Sequence, residues 1–294
     1  MELHKTPERT KSGFVLLDQN MRLVKPVNEY LDFQALRGRA ENTLLAYGKD
    51  LKTFFEFLEQ RKLQYDQVTA NMIRDYVEYL RAPDVNTVYL FVESKRSPAT
   101  INRMISTLHG FYGYHVSMYG IVNPVITEDI NSPNGIFRGI LYHTRKSNYT
   151  RQSVFKVKES EYRIHLFTTT EMRQMHDVLP TARDKLLFKF LLQSGARISE
   201  ALSLRIEDIP VPDISSDISV LRHVKSKGRY RDIYIPTELL IDLDNYILDN
   251  CLSTKFGHDY IFASQHRHFQ GKPISYRGIY EVFKCAGKKV GIDF

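Results

Sequence analysis

Cysteine is scarce in this chain: two, Cys251 and Cys285, among 294 residues. Neither sits at a spacing that binds a metal or makes a redox pair. A disulfide framework is thereby excluded, and the two read as reduced thiols of a cytoplasmic protein. No apolar run approaches the roughly 20 residues that cross a bilayer, and the N-terminal MELHKTPERTKSG has no apolar signal core. Membrane insertion is therefore not expected. Gly48-Lys49, Gly271-Lys272 and Gly287-Lys288 all lack the frame of a phosphate-binding Gly-x-x-x-x-Gly-Lys-Ser/Thr loop, so nucleotide use has no support. There is no clustered His/Cys/Asp ligand set either, and neither a metal nor any other cofactor is expected. Long internal repeats and low-complexity tracts are also missing.

What is present is basic and well supplied with core residues. Lys and Arg outnumber Asp and Glu by 41 to 34, a net charge of +7, which favours a polyanionic partner such as nucleic acid. A hydrophobic fraction of 43% is ample for a core, and the length allows two domains.

The most informative stretch is Gln193–Ile209, QSGARISEALSLRIEDI. The apolar run DKLLFKFLLQ leads into it, and Ser194-Gly195 closes that run as glycine closes a helix, in a left-handed conformation. Arg197 follows. Ser199 reads as the N-cap of the next helix, with Glu200 in its first turn, where a carboxylate suits the helix dipole. An arginine thus sits at a tight junction between two buried helices, with a carboxylate three residues on to orient it. On spacing alone this fits two readings. One is a helix corner with a structural Arg–Glu ion pair; the other is a rigid guanidinium fork held out for a pair of phosphate oxygens.

Met1–Val24 reads as an extension in which Phe14–Leu17 can form a short strand. Residues 25–125 read as a helical domain, with helical spacing over Val27–Leu36, Leu44–Leu58, Ala70–Arg81 and Ile101–Tyr119, the last opened by Ser97 as cap and Pro98 in the first turn. Residues 126–166 read as a basic linker, carrying Arg138, Arg145, Lys146, Arg151, Lys156 and Lys158. Residues 167–294 read as a mixed domain. Thr168-Thr169-Thr170-Glu171 caps a helix over Met172–Val178, the helix corner follows, and Ile218–Val224 and Tyr230–Ile235 then form a hairpin around Lys225-Ser226-Lys227-Gly228-Arg229. GIYEVF, residues 278–283, lies on an amphipathic pattern. The fold class expected is mainly α with a small β-sheet.

SGARISEALSLRIEDI resembles the first arginine box of the tyrosine recombinases (phage integrase family), a Gly-x-Arg-Ile-Ser-Glu core followed by a Leu-rich turn and Asp-Ile. Gly195, Arg197, Ile198, Ser199, Glu200, Leu204, Asp208 and Ile209 hold those positions. NTLLAYGKDLKTFFEFLEQ and SPATINRMISTLHGFYGYH are similar to the helical, SAM-like core-binding domain that precedes the family's α+β catalytic domain. The resemblance implies that Arg197 is the first catalytic arginine and Glu200 its support. A hairpin lysine, Lys227 with Lys225 as the alternative, is the implied general acid. Thr43, Lys49, Lys52, Ser97, Thr100 and Arg103 in the first domain, and Lys225, Arg229 and Arg231 in the hairpin, are the implied DNA contacts. The implied partners are double-stranded DNA recombination sites and further copies of the chain, a tetramer on DNA. The family's next element, a His-x-x-Arg box, and its late nucleophilic tyrosine have no match before Phe294. The catalytic domain is accordingly expected to be truncated, and the chain to bind DNA without cleaving it.

Overall fold

The computed structural model describes residues 1–6, 10–81, 96–131, 149–159, 166–226, 228–251, 259–264, 266, 268–269 and 271–292, with backbone alone at 130, 131, 149 and 150. The chain divides into two compact units, Met1–Tyr162 and Arg163–Phe294.

Among the described residues of the first unit, four α-helices build its core: α1 (Lys25–Leu36), α2 (Glu41–Gln60), α3 (Ala70–Arg81) and α4 (Pro98–Tyr119). Their apolar faces meet in a core rich in rings, with Tyr30, Phe54, Phe57, Tyr76, Phe111 and Tyr112 all essentially buried. Edge-to-face pairs such as Phe54–Tyr76, with centroids 5.0 Å apart, fix how these rings mesh. The start of α4 is as the sequence implies, with the Ser97 hydroxyl accepting the Thr100 N–H at 3.3 Å. The Ala40 position ahead of α2 makes no side-chain cap.

Phe14 and Leu16 of the N-terminal segment belong to this core, with Met1, Leu3 and Val24 packed against it. β1 (Glu2–Lys5) and β2 (Phe14–Leu17) pair antiparallel. Phe14 and Leu16 are buried, and the Asn28 side chain both donates to and accepts from the Leu16 backbone at 3.0 and 2.8 Å. The Val24 N–H also donates to Leu16 O at 3.0 Å, so an amide side chain and a returning backbone together satisfy that edge of β2. Leu3 of β1 lies over Gly48 of α2, its Cδ2 2.9 Å from where a Cβ would stand, so a larger residue at 48 would push the end of the Leu3 side chain aside.

Part of the span read as a linker also belongs to the first unit. β3 (Thr127–Asn131) and β4 (Tyr149–Ser153) pair antiparallel. Beyond it, Asn102 of α4 holds the Val157 backbone in both directions, donating to its carbonyl at 2.9 Å and accepting from its N–H at 2.8 Å. Val157 is buried in the first core. Of the basic residues assigned to that span, Arg151 pairs with Asp129 at 3.4 Å, while Arg138, Arg145 and Lys146 lie outside the described residues.

The second unit contains α5 (Thr169–Val178), α6 (Ala182–Ser194), α7 (Ile198–Ser203), α8 (Thr237–Tyr246) and α9 (Tyr276–Val290), with a hairpin of β5 (Ile218–Ser226) and β6 (Arg229–Pro236). Leu187 and Phe190 of α6, Leu221 of β5, Ile235 of β6, Leu239 of α8 and Ile279 of α9 are at its centre. Arg183 at the start of α6 is buried. Its guanidinium donates to Asp184 at 2.7 and 2.9 Å and to the Ala263 carbonyl at 2.9 Å, tying α6 to the segment ahead of α9. Among the described residues no helix is long and apolar enough to cross a membrane.

Gly195 ends α6 with φ +58°, and its N–H donates to Leu191 O. An L side chain in that conformation is strained, so Gly195→Ala is expected to cost about 1 kcal/mol of stability. A lowered thermal midpoint with unchanged circular dichroism checks it.

Candidate active site

The corner after Gly195 turns the chain directly into α7, so Arg197 projects from the junction. Arg197 rather than Ser199 is the N-cap residue of α7. The cap works by a different device from the hydroxyl expected. Glu200, three residues on, reaches back and accepts the Arg197 backbone N–H at 2.8 Å. The Glu200 side chain is 0% exposed. A carboxylate in that position must be paired, and it is paired twice.

Its first partner is Arg197, whose Nη1 donates to Glu200 Oε1 at 2.9 Å and to the Ser226 Oγ at 2.8 Å. The second is Arg231 of β6. Its Nε donates to Oε1 at 3.2 Å and its Nη2 to Oε2 at 2.6 Å. Burial alone would raise the Glu200 pKa. Hydrogen bonds from Arg231, Ser226 and Arg197 outweigh it and hold the group to about 2. The Glu200 hydrogen bond pushes the Arg231 pKa up in turn. At neutral pH the cluster is two guanidinium ions around one carboxylate, a net charge of about +1.

Hairpin register brings these groups together. Ser226 pairs with Arg229 and Val224 with Arg231, so Ser226, Val224 and Arg231 share the face that also carries Ile233 and Ile235. On β5 the phase slips once. Leu221 pairs with Ile233 and the next pair is Val224 with Arg231, leaving Arg222 and His223 together opposite Asp232. His223 takes φ +57°, and its backbone N–H donates to the Asp232 carboxylate at 3.0 Å.

Of the residues inferred from sequence, Arg197, Glu200 and Arg231 meet in one cluster. Lys225 is exposed and pairs with Tyr230, on the opposite face of the hairpin from Ser226. Arg229 is exposed at the end of β6. Lys227 lies outside the described residues. In the first unit Lys49 and Ser97 are exposed, and Thr43, Lys52 and Thr100 are half-buried. Arg103 is half-exposed, yet its Nη1 donates at 2.6 Å to Asp50, a buried carboxyl that also accepts the Thr107 hydroxyl. Sequence reasoning missed Ser226 as a partner of Arg197, and the bond from Arg231 to Glu200. The alternation Arg231, Ile233, Ile235 carries the signal for the second, because it puts Arg231 on the core face of its strand.

Arg197 and Arg231 are half-exposed, while the Glu200 carboxylate between them is buried. A separate groove of about 860 Å³, lined by Arg183, Tyr260, Phe269, Lys272 and Ser275 among others, includes none of its members. Among the described residues no group of three or more His, Cys, Asp or Glu side chains could hold a metal ion.

Two family models match the chain. Residues 27–117 match the phage integrase N-terminal SAM-like domain, and residues 165–294 match the phage integrase family itself, which takes in the whole Arg197 cluster. The chain belongs to the phage integrase family of tyrosine recombinases.

Among curated relatives of this integrase-family chain is transposase A from transposon Tn554 of Staphylococcus aureus. It is 28% identical over 288 residues, 96% of this chain and 79% of the relative. Tyrosine recombinase XerC of Staphylococcus epidermidis is 27% identical over 258 residues, 86% of this chain and 72% of the relative. The fold is that of a lambda integrase tetramer bound to a Holliday junction, with TM-score 0.58 and 17% identity over 92% of this chain. It is also that of the Tn1549 transposon integrase in complex with circular intermediate DNA, with TM-score 0.57 and 16% identity over 90%. The chain spans 66% of the lambda integrase chain and 78% of the Tn1549 integrase chain in those structures.

Proposed function

We propose that this chain is the DNA-binding and phosphate-activating part of a site-specific recombinase, with Arg197 as the ligand of the scissile phosphate. One observation carries the reading. Arg197 is anchored through Nη1 alone, and among the described residues its Nε and Nη2 have no hydrogen-bond partner. Those two nitrogens form the parallel edge of the guanidinium that matches two phosphate oxygens. The side chain is 54% exposed, which leaves it accessible to a phosphate.

The chemistry that fits is transfer of a DNA phosphodiester to a tyrosine. The hydroxyl attacks the phosphorus, giving a 3′-phosphotyrosyl link and releasing a 5′-hydroxyl. Each bond made replaces one of similar energy, so rejoining needs no nucleotide. Arg197 stabilises the charge of the pentavalent phosphate, Glu200 supports Arg197, and Lys227 protonates the leaving oxygen. Thr43, Lys49, Lys52, Ser97 and Thr100 would hold the duplex backbone, a contribution that gives affinity without sequence choice. The partners would be recombination sites in double-stranded DNA. Assembly of several copies on DNA follows by analogy with the lambda integrase tetramer.

These 294 residues contain no His-x-x-Arg box. The chain by itself is therefore expected to occupy DNA without cutting it. The test is to incubate it with nicked duplexes bearing inverted repeats. Electrophoresis is then run under native and under denaturing conditions. A native complex that weakens steeply with salt and leaves no adduct after denaturation is the expected result. A covalent adduct would show that the chain holds its own nucleophile, and failure to retain any duplex would remove the DNA reading.

A further inference from the structure

The two arginines of the cluster use opposite edges of their guanidinium groups, and this separates their roles. Arg197 spends Nη1, bonding Glu200 and Ser226, and among the described residues its Nε/Nη2 edge has no hydrogen-bond partner. Arg231 spends the Nε/Nη2 edge itself, one nitrogen on each oxygen of Glu200, at 3.2 and 2.6 Å. The edge best suited to a phosphate is therefore already occupied in Arg231 by a carboxylate that nothing but arginine reaches as a bidentate pair.

We propose that Arg231 is a positioning residue that acts on the phosphate only through Glu200 and Arg197, rather than a DNA contact in its own right. This rests on the reading of Arg197 as phosphate ligand. It departs from the expectation that the basic residues of the hairpin touch DNA.

The electrostatic reason is a matter of charge count. A carboxylate paired with Arg197 alone would cancel the charge that a phosphate is meant to feel. With Arg231 neutralising Glu200, the charge of Arg197 remains available, and the carboxylate still fixes where it points. Geometry adds a second reason. Glu200 is rooted in α7 and Arg231 in β6, so their bidentate bond ties the helix that carries the arginine to the strand next to the hairpin tip. Ser226 of β5 adds a third tie through Arg197. Among the described residues, the charged groups bonded to Glu200 are thus Arg197 from its own corner and Arg231 from β6, while β5 presents the neutral hydroxyl of Ser226.

Two measurements on the 294-residue chain test the proposal. The first is the titration of Glu200 by NMR of ¹³C-carboxyl-labelled glutamate. In the native chain this carboxyl should titrate at about 2. In Arg231→Met the burial of the group is opposed by fewer partners, and its titration should move upward. Arg231→Lys keeps the charge but not the fork, so its titration should fall between the two, and this variant also serves if Arg231→Met does not fold. The second is the salt dependence of duplex affinity. Arg197→Ala should lower the slope by about 0.9, the loss of one phosphate contact. The double variant Arg197→Ala/Arg231→Met should lose the same amount and no more. A double variant that loses about twice as much would make Arg231 a phosphate contact, and an unmoved Glu200 titration in Arg231→Met would remove its hold on the carboxylate. If the native chain shows no salt-dependent binding, the DNA reading fails, while the titration still decides what Arg231 does to Glu200.

Discussion

Replacing Glu200 with alanine is expected to lower the unfolding free energy by about 3 kcal/mol, the low end of what breaking a buried ion pair costs. The low end applies because the two arginines left behind are half-exposed, at 54% and 40%, and can turn their charge toward water. The loss comes from several sources at once. The N-cap bond to the Arg197 N–H disappears, two guanidinium groups are left facing each other, and α7 is untied from β6. The same carboxylate makes the fold acid-sensitive. Its pKa is depressed from the ordinary 4.5 to about 2. A depressed carboxylate contributes its full stability above the unfolded pKa, and that contribution is lost as pH falls through the folded one. The native chain should therefore lose on the order of 3 kcal/mol through this group between about pH 4.5 and 2. Glu200→Gln should be less stable at neutral pH but lack that part of the acid dependence. Urea denaturation of both proteins across this window measures the difference. Parallel curves would show that Glu200 is not the charged bridge described.

Arg197→Ala should abolish strand cleavage in a protein that also carries the nucleophilic tyrosine, while sparing most duplex affinity. Removing one preorganised donor from a developing charge typically lowers rate by about 10²–10³-fold, and a charged bidentate donor lies at or beyond the upper end. Affinity is spread over many backbone contacts, of which Arg197 supplies one. Arg197→Lys is the sharper variant. It retains the charge but presents a point rather than a fork, so it should recover little of the rate. Single-turnover cleavage of a nicked duplex, with affinity measured in parallel, separates the two effects. A fully active Arg197→Ala protein would mean that a different arginine holds the phosphate.

Much of the fold was legible because helices announce themselves through short-range periodicity. Ala70–Arg81 shows helical spacing in sequence and is helical over those same residues, and Gly195 ends α6 as glycine at such a position should. The misjudged features depend on residues far apart in sequence. Glu2–Lys5 is too short and polar to read as a strand until Phe14–Leu17 pairs with it, and its place on α2 depends on Leu3 meeting Gly48. TEDIN and YTRQS have no alternating apolar pattern, so the β3–β4 pairing was invisible, and the hold of Asn102 on Val157 spans 55 residues. At the site, the Arg197 and Glu200 pair was readable from a three-residue spacing. The alternation Arg231, Ile233, Ile235 turns Arg231 toward the core, but its bond to Glu200, like that of Arg197 to Ser226, was not readable, because both depend on how β5 and β6 register. The start of α7 was misjudged for a related reason, since Ser199 is the better cap by residue type but Glu200 supplies the cap by reaching backward.

The unpaired step at Arg222 and His223 bears on how relatives of this protein can differ in length. Those two residues share one place on the solvent side of the hairpin, opposite Asp232, while Val224 and Ser226 keep their partners Arg231 and Arg229. One codon can be lost there without moving any group that touches Glu200. Loss of a codon between Val224 and Ser226 would instead reverse the strand and turn the serine outward. The genetic distance from the arginine box to the hairpin tip is therefore free to drift by one residue. Equivalent tip residues in two such genes are found by counting back from Arg231, not forward from Arg197.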